Sequence, residues 1–194
     1  MKKLVIATHN PGKLKEFLPL LGPLGYELVS AGELGLPAPD ETAADFAGNA
    51  RLKAVKAATA SGLPALGDDS GLCVAALNGQ PGVYSARYGG DDYPAAFAKI
   101  IAAATAKDIW NAWFTCALCL AQPDGTSTGF LGEVHGRIAP APRGDKGFGY
   151  DPIFIPDGYE QTFAEMGAAK EALSHRAVAF AQLQKALSGR AGTI

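Results

Sequence analysis

The sequence predicts a mixed α/β fold in which strands and helices share one core. Three observations carry that prediction. A short apolar run, Leu4-Val5-Ile6-Ala7, is followed by a tight turn and an amphipathic helix, as in strand–turn–helix units. Two segments of alternating character, Trp113–Ala121 and Gly129–Ile138, flank a Pro123-Asp124-Gly125 turn and read as adjacent strands. An Ala-rich stretch from Tyr93 to Ala106 and a C-terminal segment after Ser174 carry helical apolar spacing.

In chain order, the first strand leads into Thr8-His9-Asn10-Pro11-Gly12-Lys13. Leu14, Phe17, Leu18 and Leu21 then recur at helical spacing until Gly22-Pro23 stops them. Asn10 stands where an N-cap belongs, and Pro11 takes the first helical position. Gly32–Pro39 is a Gly/Pro-rich loop, and a second helix is expected from about Thr42 to Ala60, with Asp45 completing a variant capping box. Pro64-Ala65-Leu66 reads as a short strand ending in Gly67-Asp68-Asp69-Ser70-Gly71, with another strand from Leu72 to Leu77. Pro81–Tyr88 and Pro140–Tyr150 read as loops, Pro152–Ile155 as strand, and Ser174 as the cap of the last helix. No repeat or linker divides the chain, so residues 1–194 are expected to form a single domain.

Composition narrows the function. The chain is 48% hydrophobic and 19% charged, which suits a packed globular protein. A formal net charge of -2 with scattered Lys and Arg argues against a nucleic-acid partner. No apolar stretch approaches the roughly 20 residues that span a bilayer, so no membrane partner is expected. The N-terminal apolar run is too short for a secretory signal, which points to the cytosol. Three cysteines do not make a disulfide framework. Cys116 and Cys119 form a CxxC, but on a strand residues three apart face opposite ways, so buried thiols are expected rather than a zinc site.

Four clusters carry chemistry. Thr8 to Lys13 joins a strand to a helix N-terminus, where free backbone N–H groups and the helix dipole attract anions. Gly12 permits close approach, and Thr8, His9, Asn10 and Lys13 add polar or cationic side chains. An ordinary capped helix would also use these residues. Asp68-Asp69-Ser70 places two carboxylates side by side, a repulsive arrangement that a hard cation such as Mg²⁺ would relieve, with Glu41 as a third carboxylate. Because strand neighbours point opposite ways, Asp68 and Asp69 are expected to do different jobs, Asp69 nearer the metal and the attacking water. A polar turn is the plain alternative. Gly147-Phe148-Gly149-Tyr150-Asp151 can offer the flat face of Phe148 to a base and the carboxylate of Asp151 to a ring N–H. Lys170 precedes Ser174-His175-Arg176, where Ser174 as cap puts His175 and Arg176 on the first turn of a helix, locally unfavourable for cations unless they face a carbonyl or an anion. Donors there would suit the O6 of a 6-keto purine and disfavour adenine, whose amino group is a donor.

Together these stretches resemble the inosine triphosphate pyrophosphatase family of housecleaning enzymes. The resemblance lies in THNPGK (8–13), ETAADFAGNARLKA (41–54), LGDDSGLCV (66–74), PGVYSARY (81–88), GFGYDPIF (147–154), TFAEM (162–166) and KEALSHRA (170–177). It implies an elongated central mixed sheet flanked by helices, two lobes with a cleft between them, and a homodimer. It implies hydrolysis of ITP, dITP and XTP to the monophosphate and pyrophosphate with Mg²⁺. By matching position, Glu41 and Asp69 correspond to metal carboxylates, with Asp69 also the proton acceptor and Asp68 its support. Thr8, Asn10, Lys13 and Lys53 correspond to phosphate binders, with His9, Pro11, Gly12 and Ser70 as further substrate contacts. Phe148, Gly149, Tyr150, Asp151, Lys170, His175 and Arg176 correspond to the base side. Ala43 and Gly48 depart from the pattern, which often has Gly and Glu there, as does Trp110, where an Arg is usual.

Rival readings are a Maf-type pyrophosphatase acting on other bases, a nucleotide sensor without catalysis, and a nucleic-acid binder. GFGYDP with SHR, the three carboxylates, and the net charge speak against them in turn.

Overall fold

The computed structural model describes residues 2–9 and 11–190. Its sheet has six strands in the order β2-β1-β3-β4-β5-β6. These are β1 (Lys2–Ile6), β2 (Tyr26–Ser30), β3 (Ala65–Val74), β4 (Asn111–Ala121), β5 (Ser127–Ile138) and β6 (Phe154–Pro156). The sheet is mixed, because β1 runs parallel to β2 and β3 while β5 and β6 are antiparallel. The helices are α1 (Pro11–Leu21), α2 (Phe46–Ser61), α3 (Ser85–Gly89), α4 (Tyr93–Lys107), α5 (Phe163–Met166), α6 (Ala169–Leu173) and α7 (His175–Arg190). None of the described helices is long and apolar enough to cross a membrane.

The chain forms two compact units. One takes the residues up to Asp69 plus Ala117–Phe130; the other takes Ser70–Cys116 and the residues from Leu131 on. In the first, β1 and α1 form the expected strand–turn–helix, with Leu4, Val5, Ile6, Phe17 and Leu21 buried and Leu18 left exposed. Pro11 takes the first helical position as expected. The second helix begins at Phe46 rather than Thr42. Asp45 is its N-cap, its carboxylate accepting from the Gly48 N–H at 2.7 Å. The face of α2 that meets the sheet is built from alanines, and Gly67 on β3 lies against its backbone. A Cβ at Gly67 would collide with the Ala50 carbonyl, so the helix sits as close to the strand as glycine allows.

The departures at Ala43 and Gly48 belong together. A Cβ at position 48 would fall 2.6 Å from the Ala43 Cβ, so one of the two positions must lack it. Gly48→Ala is expected to lower the Tm by roughly 2–8 °C, the cost of about 1–2 kcal/mol of overpacking, and Ala43→Gly in the same chain to restore it. Thermal melts of the single and double variants check this.

Three corrections concern the middle of the chain. Ala65–Val74 is one continuous strand, not two short ones, and a 3₁₀ turn at Ala75–Leu77 replaces the second expected strand. Gly82–Tyr84 and Ser85–Gly89 are helical rather than loop. The strand near Pro152 begins only at Phe154, after a 3₁₀ turn over Asp151–Ile153.

The second unit has an aromatic core of Phe97, Phe114, Tyr150, Phe154 and Phe163 with Leu72, Ile100 and Ile153. Phe114 meets Phe154 edge-on at 4.8 Å, and Phe154 lies 5.0 Å from Phe163.

Cys73, Cys116 and Cys119 are all buried. Burial, aided by the nearby Glu133 charge, pushes the Cys73 thiol up to about 11. A thiol raised in the folded state holds its proton where the unfolded chain has lost it. The stability it contributes is therefore complete below the ordinary thiol value of 9.0 and is lost as pH rises through about 11. Denaturant midpoints measured across that window are expected to fall by the equivalent of roughly 2–3 kcal/mol from this group. Tyr150, also raised by burial, adds to the loss at the alkaline end.

Candidate active site

In the first unit, α2 presents Asn49 and Lys53 on one face, four residues apart, toward Asp68 and Asp69 in the middle of β3. The Lys53 ammonium lies 2.6 Å from a Glu41 carboxylate oxygen and 3.0 Å from an Asp69 carboxylate oxygen. It also donates to the Asp68 carbonyl at 3.0 Å. Asn49, only 1% exposed, donates to the second Asp69 oxygen at 3.3 Å, and its own amide oxygen accepts from the Ala43 N–H. Two carboxylates from distant parts of the chain thus converge on one cationic point.

Burial raises the Asp69 carboxyl above the usual carboxylate range. The Glu41 charge adds to this, while Lys53 and Asn49 offset part of it. Burial alone would lower the Lys53 ammonium; the pull of Asp69 and Glu41 more than compensates, and its pKa is raised. The result is a charged lysine clamped between an anionic Glu41 and a carboxylate with enhanced appetite for a proton.

This cluster opens on a cavity of about 260 Å³ lined by Thr8, His9, Pro39, Glu41, Lys53 and Asp68. Asp68 and Asp69 both lie buried in the middle of β3, but Asp68 borders the cavity while Asp69 holds Lys53 and Asn49. His9 is tied to the following loop by a hydrogen bond of its Nε2 with the Leu36 carbonyl at 2.6 Å. Gly12 and Lys13 belong to the first turn of α1. Asn10, and the side chains of Pro11 and Lys13, lie outside the described residues. Ser70 falls in the second unit, half-buried on β3.

In the second unit, Phe148 is 60% exposed at the tip of a glycine turn. Gly147 and Gly149 both have left-handed backbones, with φ of 80° and 60°. A side chain at 147 would strike the Asp151 carboxylate. Asp151 is buried. One of its oxygens accepts from the Phe148 N–H at 2.9 Å and from the Lys170 ammonium at 2.5 Å. Lys170 also lies 4.8 Å from the Phe148 ring centroid and 5.3 Å from that of Phe163. In this arrangement Asp151 holds both the Phe148 backbone and the Lys170 ammonium.

Tyr150, grouped with the base side in the sequence, has its side chain in the core. Its ring packs against Tyr93 and Phe97, and its hydroxyl donates to the Ser85 carbonyl at 2.7 Å. Ser174 caps α7 as expected, accepting from the Ala177 N–H at 3.2 Å. His175 is buried and stacked on Phe114 at 4.8 Å with rings 9° from parallel, and Arg176 beside it is half-buried.

Asn49 was missed in the sequence. The available signal was a polar residue on the alanine-lined face of α2, one helical turn before Lys53. The Thr162–Glu165 capping box was missed as such, although T-x-x-E spacing before a helix is its signature.

The sequence profile of the Ham1 family matches residues 4–186. A dITP/XTP pyrophosphatase of Caulobacter vibrioides is 54% identical over 95% of this chain and 97% of its own. One from Gluconobacter oxydans is 52% identical over 90% and 85% of the two chains. The solved structure of a HAM1 protein from Coxiella burnetii superposes with a TM-score of 0.90 at 39% identity, covering 97% of this chain and all (100%) of that one. With matching sequence and fold, this chain belongs to the Ham1 family.

Proposed function

We propose that this protein is a nucleoside triphosphate pyrophosphohydrolase that converts ITP, dITP and XTP to the monophosphate and pyrophosphate. The observation that carries the reading is the convergence of Glu41 and Asp69 on Lys53 beside the Thr8–His9 cavity. The dITP/XTP pyrophosphatase relatives supply the substrate class.

Glu41 and Asp69 suit Mg²⁺: both offer hard oxygen ligands, and both already converge on one cationic point. When bound there, the ion supplies charge neutralisation to the phosphates and a lowered pKa to a coordinated water. The chain's own part is positional and basic. Thr8, Asn10, Lys13 and Lys53 hold the phosphates. Asp69, whose burial strengthens its hold on a proton, takes the proton of the attacking water. The water oxygen bonds to the α-phosphorus, the bond from the α-phosphorus to the α–β bridging oxygen breaks, and pyrophosphate leaves. Asp68 supports Asp69 from the cavity side of β3.

In the second unit, Phe148 stacks on the purine, and His175 and Arg176 face the 6-keto oxygen, with Lys170 and Asp151 fixing the platform. Water labelled with ¹⁸O tests the bond cleaved. Label in the monophosphate is the expected result, and label in pyrophosphate would place attack on the β-phosphorus and overturn the reading.

Arg176→Ala is expected to raise KM for ITP by about 10- to 100-fold, the loss of roughly 1.5–3 kcal/mol of charge-assisted hydrogen bonding, with much less effect on ATP. Steady-state kinetics on both nucleotides check this; equal losses would remove the keto-reading role. A homodimer acting in the cytosol is the family-based part of the proposal, and light scattering on the purified protein tests the assembly.

A further inference from the structure

The segment from Pro140 to Phe148 is exposed at every residue, yet it carries the ring proposed to stack on the base. Little of it is buried, so packing does not hold Phe148 in place. Besides Asp151 at the Phe148 N–H and Lys170 against its ring, a second set of anchors lies at the base of the loop and converges on Arg143. The Arg143 N–H donates to the Pro152 carbonyl at 2.9 Å, which closes the loop of which Phe148 forms part. The Arg143 carbonyl accepts from the Thr162 hydroxyl at 2.8 Å. The Arg143 guanidinium donates to the Glu160 carbonyl at 2.7 Å and lies 3.4 Å from the Glu165 carboxylate.

Thr162 and Glu165 are themselves locked together. The Thr162 hydroxyl accepts from the Glu165 N–H at 3.2 Å, while the Glu165 carboxylate accepts from the Thr162 N–H at 2.7 Å. Thr162 is fully buried, 0% exposed. Gly144, next along the loop, packs onto the Ala164–Glu165 backbone so closely that no Cβ would fit.

We propose that Thr162, Glu165 and Arg143 form a buckle that fixes the Phe148 loop, which makes Thr162 a positioning residue for base recognition. The inference rests on the reading of Phe148 as the stacking residue. The capping box does more than start a four-residue helix. It spends the same hydroxyl on holding the loop base, so the helix cap and the platform are set by one side chain.

Steady-state kinetics on dITP test it, with Thr162→Val, Thr162→Ser, Arg143→Met, Phe148→Ala and the Thr162→Val/Phe148→Ala pair. Thr162→Val is expected to raise KM by about 10-fold with kcat within about 3-fold, and Thr162→Ser, which keeps the hydroxyl, to behave as the parent. Arg143→Met, a half-exposed change that spares the core, is expected to raise KM by about 3-fold or more. Because the buckle acts through Phe148, the double variant is expected to be no worse in KM than Phe148→Ala alone. Additive losses, or a fall in kcat at unchanged KM, would overturn it as a merely structural contact. A parental KM in both Thr162→Val and Arg143→Met, beside a raised KM in Phe148→Ala, overturns the buckle and spares the stacking reading. A parental KM in Phe148→Ala removes the stacking reading and the buckle with it.

Discussion

Asp69→Asn is expected to lower kcat for ITP by at least about 10³-fold while the protein stays folded. Loss of a positioned proton acceptor alone costs on the order of 10²–10⁴-fold, and the same change weakens the proposed metal carboxylate pair. The fold survives for reasons visible around the side chain. Asparagine is nearly isosteric. Lys53 keeps its 2.6 Å contact with Glu41 and its bond to the Asp68 carbonyl. The Asp69 charge is already costly to bury, as its raised pKa shows, so neutralising it removes an unfavourable contribution along with a favourable one. Pyrophosphate release and a circular-dichroism melt, run side by side, decide the matter. Turnover within tenfold of the parent would remove Asp69 as the base.

The largest stability effect is expected at Asp151. Its side chain is 3% exposed and that of Lys170 is 12% exposed, so the pair is shielded from water. Asp151→Ala would leave a lysine ammonium with only aromatic faces for company and would also free the Phe148 N–H that shapes the turn. Removing one member of such a pair costs roughly 3–5 kcal/mol, and for a chain of this size that lowers the Tm by roughly 6–20 °C. Replacing both members, Asp151→Asn with Lys170→Met, is expected to recover much of the loss, because the damage comes from the orphaned charge. Thermal melts of the single and double variants report this. An undisturbed Tm in Asp151→Ala would mean that the pair does not hold the loop.

Much of the architecture was legible because periodicity is a local signal. The β1–α1 unit, the strands either side of Pro123-Asp124-Gly125, α4 and the Ser174 cap each announce themselves within a dozen residues. What escaped was set by distant partners. Gly67-Asp68-Asp69-Ser70-Gly71 has the composition of a turn, yet it continues as strand. Lys53 and Asn49 from α2 accommodate the carboxylate of Asp69, and the Ser85 hydroxyl receives the Leu72 N–H at 2.9 Å. Tyr150 sits beside Phe148 in sequence but turns into the core, because the 3₁₀ turn over Asp151–Ile153 aims neighbouring side chains differently. The candidate site was read in the same way. Its charged residues stood out as repulsive or misplaced, whereas Asn49, Arg143 and Thr162 act by holding others, and that role shows only in three dimensions.

Pyrophosphate release from ITP, dITP, XTP, GTP, ATP and UTP, measured with Mg²⁺ and again with EDTA, is the most direct test of the proposed activity. Release that depends on the metal and is strongest with ITP, dITP and XTP is the expected result. Orthophosphate as the product, equal turnover of ATP, or ITP bound without turnover would contradict it.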